Sequence, residues 1–277
     1  DERALTGYIM VFLYMIVPVE GLLSALPTLA GARVAMQRVQ SLRAQLRPEV
    51  PQRHFTPPPF ASLALDNVRY QYQNEEGEHF TLGPLNMHIA PGELIFIVGG
   101  NGSGKTTLAN LLVGIYPPDN GAILLNGEPV SDDLLEIYRR HFSVVFNDFF
   151  LFDDVAFVTE RTPKQVEHLL RLLKLSHKVS FAHGRFSTIA LSQGQRKRLA
   201  LLQAWLEERP VYLFDEWAAD QDPEFKAVFY LELLPMLKAE GKTVIAITHD
   251  DRYFYLADRI IKLESGLVVP STHGVPS

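Results

Sequence analysis

The chain has 277 residues, of which 47% are hydrophobic and 21% are charged, and it contains no cysteine. This length suits one large globular domain with an appendage, and the lack of cysteine excludes disulfides and thiolate metal sites. The net charge of -6 gives no reason to expect a nucleic-acid partner, because phosphate backbones bind clustered Lys and Arg.

The amino-terminal segment is apolar, and between Ala4 and Ala32 its only charged residue is Glu20. About 20 helical residues span the hydrocarbon core of a bilayer. Arginines without acids follow, as on the cytoplasmic side of a membrane helix. A signal peptide would begin with a basic region and have a shorter apolar core, whereas this chain starts with Asp1-Glu2. We predict that residues 1–47 end a transmembrane domain, as its last membrane helix and cytoplasmic extension. A buried soluble helix is the alternative, which Pro18, Glu20 and Pro27 favour.

A proline-rich linker is predicted over residues 48–62, and a loose tail over residues 266–277. Between them, residues 63–265 alternate short apolar runs with helical stretches, which is typical of an α/β domain with a mainly parallel sheet. The predicted strands are Leu63–Tyr72, Leu94–Val98, Ala122–Leu125, Val144–Phe146, Val211–Phe214 and Thr243–Ile247. The predicted helices are Thr106–Val113, Pro163–Leu173, Gln193–Glu207 and Pro223–Ala239.

A glycine-rich loop follows the strand Leu94–Val98 and matches the pattern G-x-x-x-x-G-K-[ST]. In such a loop, backbone N–H groups and the start of the next helix face phosphate oxygens. Lys105 would reach the β and γ phosphates, and the Thr106 hydroxyl would bind Mg²⁺. The sequence therefore predicts a site for a nucleoside triphosphate with Mg²⁺. Its candidate residues are Gly99, Gly100, Asn101, Gly102, Ser103, Gly104, Lys105, Thr106 and Thr107.

Two carboxylates, Asp215 and Glu216, follow the apolar strand Val211–Phe214. The carboxyl end of a parallel strand lies beside the phosphate crevice in open α/β sheets. We predict that Asp215 belongs to the magnesium shell and that Glu216 polarises the attacking water as a general base. Acids at strand ends are common, so this inference depends on the glycine-rich loop.

The residues Ser192-Gln193-Gly194-Gln195 begin another helical run. Ser192 and Gln195 have the spacing of a capping box, so a well-capped helix is the simplest interpretation. Gly194, however, costs about 1 kcal/mol relative to alanine inside a helix. That cost is easier to understand if a phosphate must approach the backbone.

LSQGQ, at residues 191–195, resembles the LSGGQ signature motif of ABC ATPases, and the resemblance covers about residues 63–265. It implies a P-loop ATPase core with a mainly parallel sheet, an antiparallel β subdomain and an α-helical signature subdomain. It also implies a head-to-tail homodimer in which ATP lies between the cradle of one copy and the signature motif of the other. Ser192 and Gly194 would then contact the γ-phosphate of the partner's nucleotide, with Gln193 and Gln195 beside them.

The same resemblance assigns four further residues. Tyr72 fits the position of the aromatic ring that stacks on adenine, and Tyr70 is the alternative. His249 resembles the switch histidine that contacts the γ-phosphate, and Asp222 resembles the loop that crosses the dimer interface. Asn147 stands where the family usually has a glutamine that touches Mg²⁺ and senses the membrane domain. Its side chain is one methylene shorter, so a bridging water is the alternative to direct metal contact.

A membrane helix directly ahead of the ATPase is the exporter arrangement of this family. The segment around Trp217, which stands where most ABC proteins have proline, resembles the bacterial cyclic-peptide exporter subfamily. This resemblance implies export of a cyclic peptide or siderophore precursor across the bacterial inner membrane, with the ATPase domain on the cytoplasmic side. Its partners would be its own transmembrane domain, a second copy and the exported peptide, without nucleic acid. The alternatives are an exporter of lipids or drugs, or a non-transport ABC ATPase that acts on nucleic acid.

Overall fold

The structure is a computed structural model that describes residues 2–45, 57–73, 79–155 and 162–270. The chain divides into two units, residues 1–53 and residues 54–277. The predicted linker residues 48–56 and tail residues 271–277 lie outside the described ranges.

The described part of the first unit is one long helix, α1 (Glu2–Gln45). Its large apolar side chains are exposed; Tyr14, for example, is 79% exposed. By length and composition, the segment Leu5–Arg43 is able to cross a membrane. Pro18 and Pro27 lie inside the helix, as membrane helices tolerate when neighbouring groups satisfy the freed backbone atoms. The apolar helix agrees with the predicted end of a transmembrane segment.

The second unit contains two main sheets, covered by helices, and a small β-hairpin. Its strands are β1 (Leu63–Gln73), β2 (His79–Ile89), β3 (Leu94–Gly99), β4 (Asn120–Leu125), β5 (Glu128–Pro129), β6 (Phe142–Val145), β7 (Phe181–Ala182), β8 (Arg185–Phe186), β9 (Val211–Asp215), β10 (Thr243–Ile247), β11 (Arg259–Glu264) and β12 (Leu267–Val269). Its α-helices are α2 (Lys105–Leu112), α3 (Leu135–Arg139), α4 (Pro163–Leu172), α5 (Gln193–Leu206), α6 (Pro223–Val228) and α7 (Leu234–Ala239).

The central sheet has the order β12-β11-β3-β10-β9-β6, and all its pairs are parallel except β11 with β12. Every residue of β9 and β10 is buried, because apolar side chains cover both faces of the sheet. The second sheet, β2-β1-β4-β5, is antiparallel. The predicted mainly parallel core with an antiparallel β subdomain is therefore confirmed.

Several predicted boundaries differ from the structure. The tail was expected to be loose from residue 266, but β12 pairs with β11 in the central sheet. The helix predicted over Pro223–Ala239 is divided by a π-helical turn at Phe229–Leu233. The strand predicted at Val144–Phe146 begins earlier, at Phe142, because that residue pairs with β9.

The described end of the proline-rich linker is held on the second unit by its carbonyl groups. The Pro58 carbonyl lies 2.8 Å from Nε2 of the buried His141, which can donate a hydrogen bond to it. The Pro59 carbonyl accepts a hydrogen bond from Asn126 Nδ2 at 2.9 Å. Residues 57–62 form neither helix nor strand, as their prolines predict.

Candidate nucleotide site

The glycine-rich loop connects β3 to α2, and close packing requires glycine at two of its positions. A Cβ added to Gly99 would lie 2.3 Å from the Leu263 carbonyl oxygen. Gly104 has φ +100, and a Cβ there would lie 2.9 Å from the ring of Phe80. Side chains are excluded at both positions, so the loop keeps its curvature directly ahead of the helix. The predicted strand, loop and helix are thus all present.

The Lys105 side chain folds back across the loop and contacts its backbone. Its ammonium donates hydrogen bonds to the carbonyl oxygens of Gly99 at 3.1 Å and Gly100 at 3.0 Å. It also lies 3.7 Å from Glu216 Oε1, and only 5% of the side chain is exposed. A triphosphate entering the loop would offer this ammonium stronger, charge-assisted partners than the two neutral carbonyls.

The residues behind the loop fit a magnesium ion. Asp215 is buried, and within the described chain its Oδ1 and the Ser103 hydroxyl lack hydrogen-bond partners. Burial raises the pKa of the Asp215 carboxyl, although a hydrogen bond from Thr106 and the charge of Lys105 oppose the shift. Mg²⁺ prefers oxygen ligands, so Thr106 and Asp215 would hold the ion and satisfy the buried carboxylate.

Glu216 and His249 meet at the carboxyl ends of neighbouring strands. β9 and β10 are paired in parallel with Asp215 opposite Ile247, so the residues that follow them lie at one edge. His249 Nε2 is 3.1 Å from Glu216 Oε1. Glu216 has the left-handed backbone conformation φ 49, ψ 32, which is uncommon for residues other than glycine and often occurs at functional sites. The two predicted catalytic side chains therefore form one cluster with Lys105.

A cleft of about 640 Å³ opens over this cluster. Tyr72 lines it and is 47% exposed, whereas Tyr70 stacks on Tyr116 with ring centroids 5.0 Å apart. His79 and Phe80 also line the cleft, because antiparallel pairing places Phe80 opposite Tyr72. No motif pointed to these two residues. The described residues of the lining are Tyr72, His79, Phe80, Asn101, Gly102, Gly104, Lys105, Thr106, Thr107 and Glu216.

The signature residues lie outside this cleft lining. Ser192 caps α5, and its amide donates to Gln195 Oε1 at 3.3 Å. Asp222 caps α6 by accepting a hydrogen bond from the Phe225 amide at 2.9 Å. Among the described residues that line the cleft, none comes from 191–195 or from Asp222. The structure therefore does not bring the predicted residues Ser192, Gln193, Gly194, Gln195 and Asp222 to the cleft of their own copy.

Asn147 contacts the signature helix α5 through its side-chain oxygen. Its Oδ1 accepts a hydrogen bond from Lys197 Nζ at 2.9 Å, and this oxygen is the metal-binding atom of the side chain. An ammonium and Mg²⁺ on one oxygen would repel each other. The predicted contact of Asn147 with Mg²⁺, direct or through a bridging water, therefore stays a prediction, and Lys197 is the neighbour that competes for the same oxygen.

The sequence analysis also did not identify Tyr230, which supports the segment that carries His249. Tyr230 lies in the π-helical turn, and its hydroxyl is 2.6 Å from Thr248 Oγ1 and 3.2 Å from Asp250 Oδ2. It therefore holds both neighbours of His249 in the chain. The periodicity of this segment predicted an uninterrupted helix, which gives no sign of such a turn.

The parallel core, the phosphate-binding loop and the acidic strand end define a P-loop nucleoside triphosphatase. Residues 82–219 match the family model described as ABC transporter. The chain is 43% identical to the ATP-binding protein SyrD of Pseudomonas syringae pv. syringae, over 97% of this chain and 50% of the relative. It is 33% identical to an ATP-dependent lipid A-core flippase of Alkalilimnicola ehrlichii, over 76% of this chain and 38% of the relative. The chain thus spans half or less of the length of these relatives.

Solved structures agree with this assignment. The ATP-binding cassette MJ0796, as a dimer in a post-hydrolysis state bound to ADP and Pi, superposes with a TM-score of 0.65 and 26% identity, over 78% of this chain and 99% of that one. A bacterial Atm1-family ABC exporter with ATP bound has a TM-score of 0.68 at 23% identity, over 86% of this chain and 44% of that one, and shares the fold. The chain belongs to the ABC transporter family, and its second unit is an ABC ATPase that uses ATP with Mg²⁺.

Proposed function

We propose that this chain is the ATP-hydrolysing part of an exporter in a bacterial inner membrane, with the ATPase domain on the cytoplasmic side. The observation that carries the proposal is the apolar helix α1, which precedes the ATPase domain in the same polypeptide. A cyclic peptide or siderophore precursor is the proposed cargo. It is supported by the resemblance of the segment around Trp217 to cyclic-peptide exporters.

ATP would be hydrolysed between two copies of the domain. A Cβ added to Gly194 would lie 3.6 Å from the Asp220 carbonyl oxygen, an ordinary van der Waals distance. Nothing within the described domain therefore requires glycine at this position, although alanine would favour the helix by about 1 kcal/mol. A phosphate of the partner's nucleotide, approaching the start of α5, gives the glycine a physical reason. The closed dimer would thus have phosphate contacts that an open form lacks, and ATP would shift the equilibrium toward it.

The Gly194→Ala variant tests this arrangement. We expect the domain to fold and a single copy to bind ATP as before, while ATP-dependent dimerisation weakens by about tenfold or more, which corresponds to about 1.4 kcal/mol. Nucleotide titration and analytical ultracentrifugation separate the two quantities. Gly100→Ala, in the cradle itself, should weaken nucleotide binding by the single copy. Equal effects of Gly194→Ala on both quantities would contradict the contact between copies.

The surface through which ATP hydrolysis is coupled to transport would be a groove of about 510 Å³ beside Asn147. Phe150 is 72% exposed and Phe152 is 56% exposed, and the two rings pack edge to face 5.1 Å apart. Exposed aromatic side chains beside a groove are typical of an interaction site. The partly buried Glu207 lies in the same lining. Burial raises the pKa of its carboxyl, although a hydrogen bond from Ser143 and the charge of Arg209 oppose the shift.

Transport by the natural protein that contains this chain tests the whole proposal. Inverted membrane vesicles should accumulate a cyclic peptide when ATP is supplied, and Phe150→Asp should abolish uptake while the ATPase activity of the detergent-solubilised protein persists. Leu267→Asp, at an exposed apolar residue of β12, is the control for surface charge. ATP-dependent movement of a lipid probe instead of the peptide would transfer the function to lipid export. The absence of any ATP-dependent transport would reject an exporter.

A further inference from the structure

The strongest unexplained feature of the domain is a fully buried lysine in the signature helix. The side chain of Lys197 has no exposed surface, and its Nζ lies 2.7 Å from Asp220 Oδ2. The same Nζ donates to Asn147 Oδ1 at 2.9 Å. A buried ammonium is unfavourable unless its charge is paired and its hydrogens are bonded. These contacts pair the charge with Asp220 and give partners to two of the three N–H donors.

Lys197 joins three parts of the active domain that are distant in sequence. It lies in α5, four residues after the start of that helix at Gln193. Asn147 follows β6, and Asp220 ends the 3₁₀ turn Trp217–Asp220 that comes directly after Glu216. The turn is fixed a second time, because Trp217 Nε1 donates to the Lys197 carbonyl at 2.8 Å.

Arg198, the next residue of α5, also contacts the segment that follows Glu216. Arg198 Nε donates to Gln221 Oε1 at 2.9 Å, and its Nη2 donates to Asp222 Oδ2 at 2.6 Å. Gln221 Nε2 in turn donates to the Gly194 carbonyl at 3.2 Å. Consecutive basic residues of the helix therefore hold the turn after Glu216 at Asp220, Gln221 and Asp222.

We propose that Lys197 is a positioning residue for ATP hydrolysis, which acts by holding Asn147 and the turn that carries Glu216 in one arrangement with α5. An ammonium has only donors, so the atom of Asn147 that faces it is the oxygen, and the remaining group of the amide is a donor. Within this proposal, Asn147 acts on the reaction as a hydrogen-bond donor, through the amide group that does not face Lys197. The inference rests on the proposed function in one respect, the proposed contact of α5 with the partner's nucleotide. Lys197 would hold that helix to the turn that follows Glu216, the general base of the same copy.

Space filling alone does not explain a lysine at this position. An apolar side chain of similar length would fill the same space without the cost of desolvating a charge. What methionine cannot supply is the pair of directed hydrogen bonds. Lys197→Met, tested in the full chain, should lower kcat for ATP hydrolysis by about tenfold or more while the KM for ATP and the ATP affinity of a single copy change by less than about twofold. Lys174→Met is the matched control, because Lys174 pairs with Glu224 on the surface, where the two side chains are 47% and 79% exposed.

Asn147→Asp separates the two roles of Asn147. A carboxylate keeps the contact with Lys197 and is a better magnesium ligand, but it removes the amide donor. We expect a loss of kcat similar to that of Lys197→Met, and the double variant should lose no more than the larger single loss, because residues that act through one contact are not additive. If Lys197→Met fails to fold, the loss of kcat in Asn147→Asp alone tests the contact.

Wild-type kcat in Lys197→Met, full activity of Asn147→Asp with tighter Mg²⁺ dependence, or additive losses in the double variant would overturn the positioning role. Such results would leave the proposed export function standing, since wild-type turnover and ATP-dependent dimerisation would be unchanged. A wild-type chain that neither hydrolyses ATP nor dimerises would contradict the proposed function itself. The two failures are therefore distinguishable.

Discussion

The Glu216→Gln variant is expected to bind ATP with Mg²⁺ normally and to hydrolyse it at least about 100-fold more slowly, within the range of general acid–base catalysis. Glu216 Oε1 lies 3.1 Å from His249 Nε2 and 3.7 Å from Lys105 Nζ. Glutamine has the same shape but accepts a proton far less readily than a carboxylate. Phosphate release measures turnover, and nucleotide titration measures binding.

Under the proposed arrangement, the same variant should also accumulate as an ATP-bound dimer, because the γ-phosphate that joins the copies is not removed. Size-exclusion chromatography with and without ATP detects this species. Glu167→Gln is a suitable control, since Glu167 is 61% exposed on α4. Turnover within about threefold of the wild type would remove Glu216 from the role of general base. Normal inhibition without dimer accumulation would preserve that role and contradict the site between copies.

The Lys105→Ala variant is expected to weaken ATP binding by about 100-fold or more. Each hydrogen bond to a charged group contributes about 1.5–3 kcal/mol, and the ammonium would contact two phosphates, so a loss of about 2.7 kcal/mol or more follows. The structure supports a direct role, because Lys105 is 5% exposed and points across the loop to Gly99 and Gly100. Fluorescent-nucleotide titration gives the affinity of the single copy.

The alanine variant also removes two hydrogen bonds to loop carbonyls, so its thermal unfolding should be recorded beside its affinity. Lys262→Ala provides the matched control, because Lys262 is 42% exposed and pairs with Glu264 at the edge of the domain. Tight ATP binding by a folded Lys105→Ala protein would contradict the assignment of the phosphate cradle. A selective loss of affinity in Lys105→Ala, with Lys262→Ala unchanged, would support it.

Comparison of the central strands shows which interactions can be predicted locally. Both β9 and β10 are continuous apolar runs, and their limits were close to those predicted because buried parallel strands have this composition. The contact of Glu216 with His249, in contrast, was not predicted: Glu216 was assigned from the acidic strand end and His249 from the family resemblance. It forms because β9 pairs directly with β10, and the order of strands in a sheet is not encoded in either strand.

Tyr70 and Tyr72 also show that the sequence of one strand does not determine which side chain faces the cleft. They are two residues apart on one strand, and alternation could not choose between them. Tyr116, which is distant in sequence, stacks on Tyr70, while pairing with β2 places Phe80 opposite Tyr72 at the cleft. The choice therefore depends on neighbours supplied by other segments.

The sequence by itself determined the phosphate loop, the acidic strand end and the apolar amino-terminal helix, because each depends on the composition and spacing of contiguous residues. Only the tertiary structure decided that Asn147 faces Lys197, that Tyr230 supports the residues beside His249, and that β12 completes the sheet. A lysine in a helix is normally solvated, and its burial becomes favourable only when Asp220 and Asn147 are brought to it by the fold. Such contacts depend on long-range packing, which local periodicity does not record.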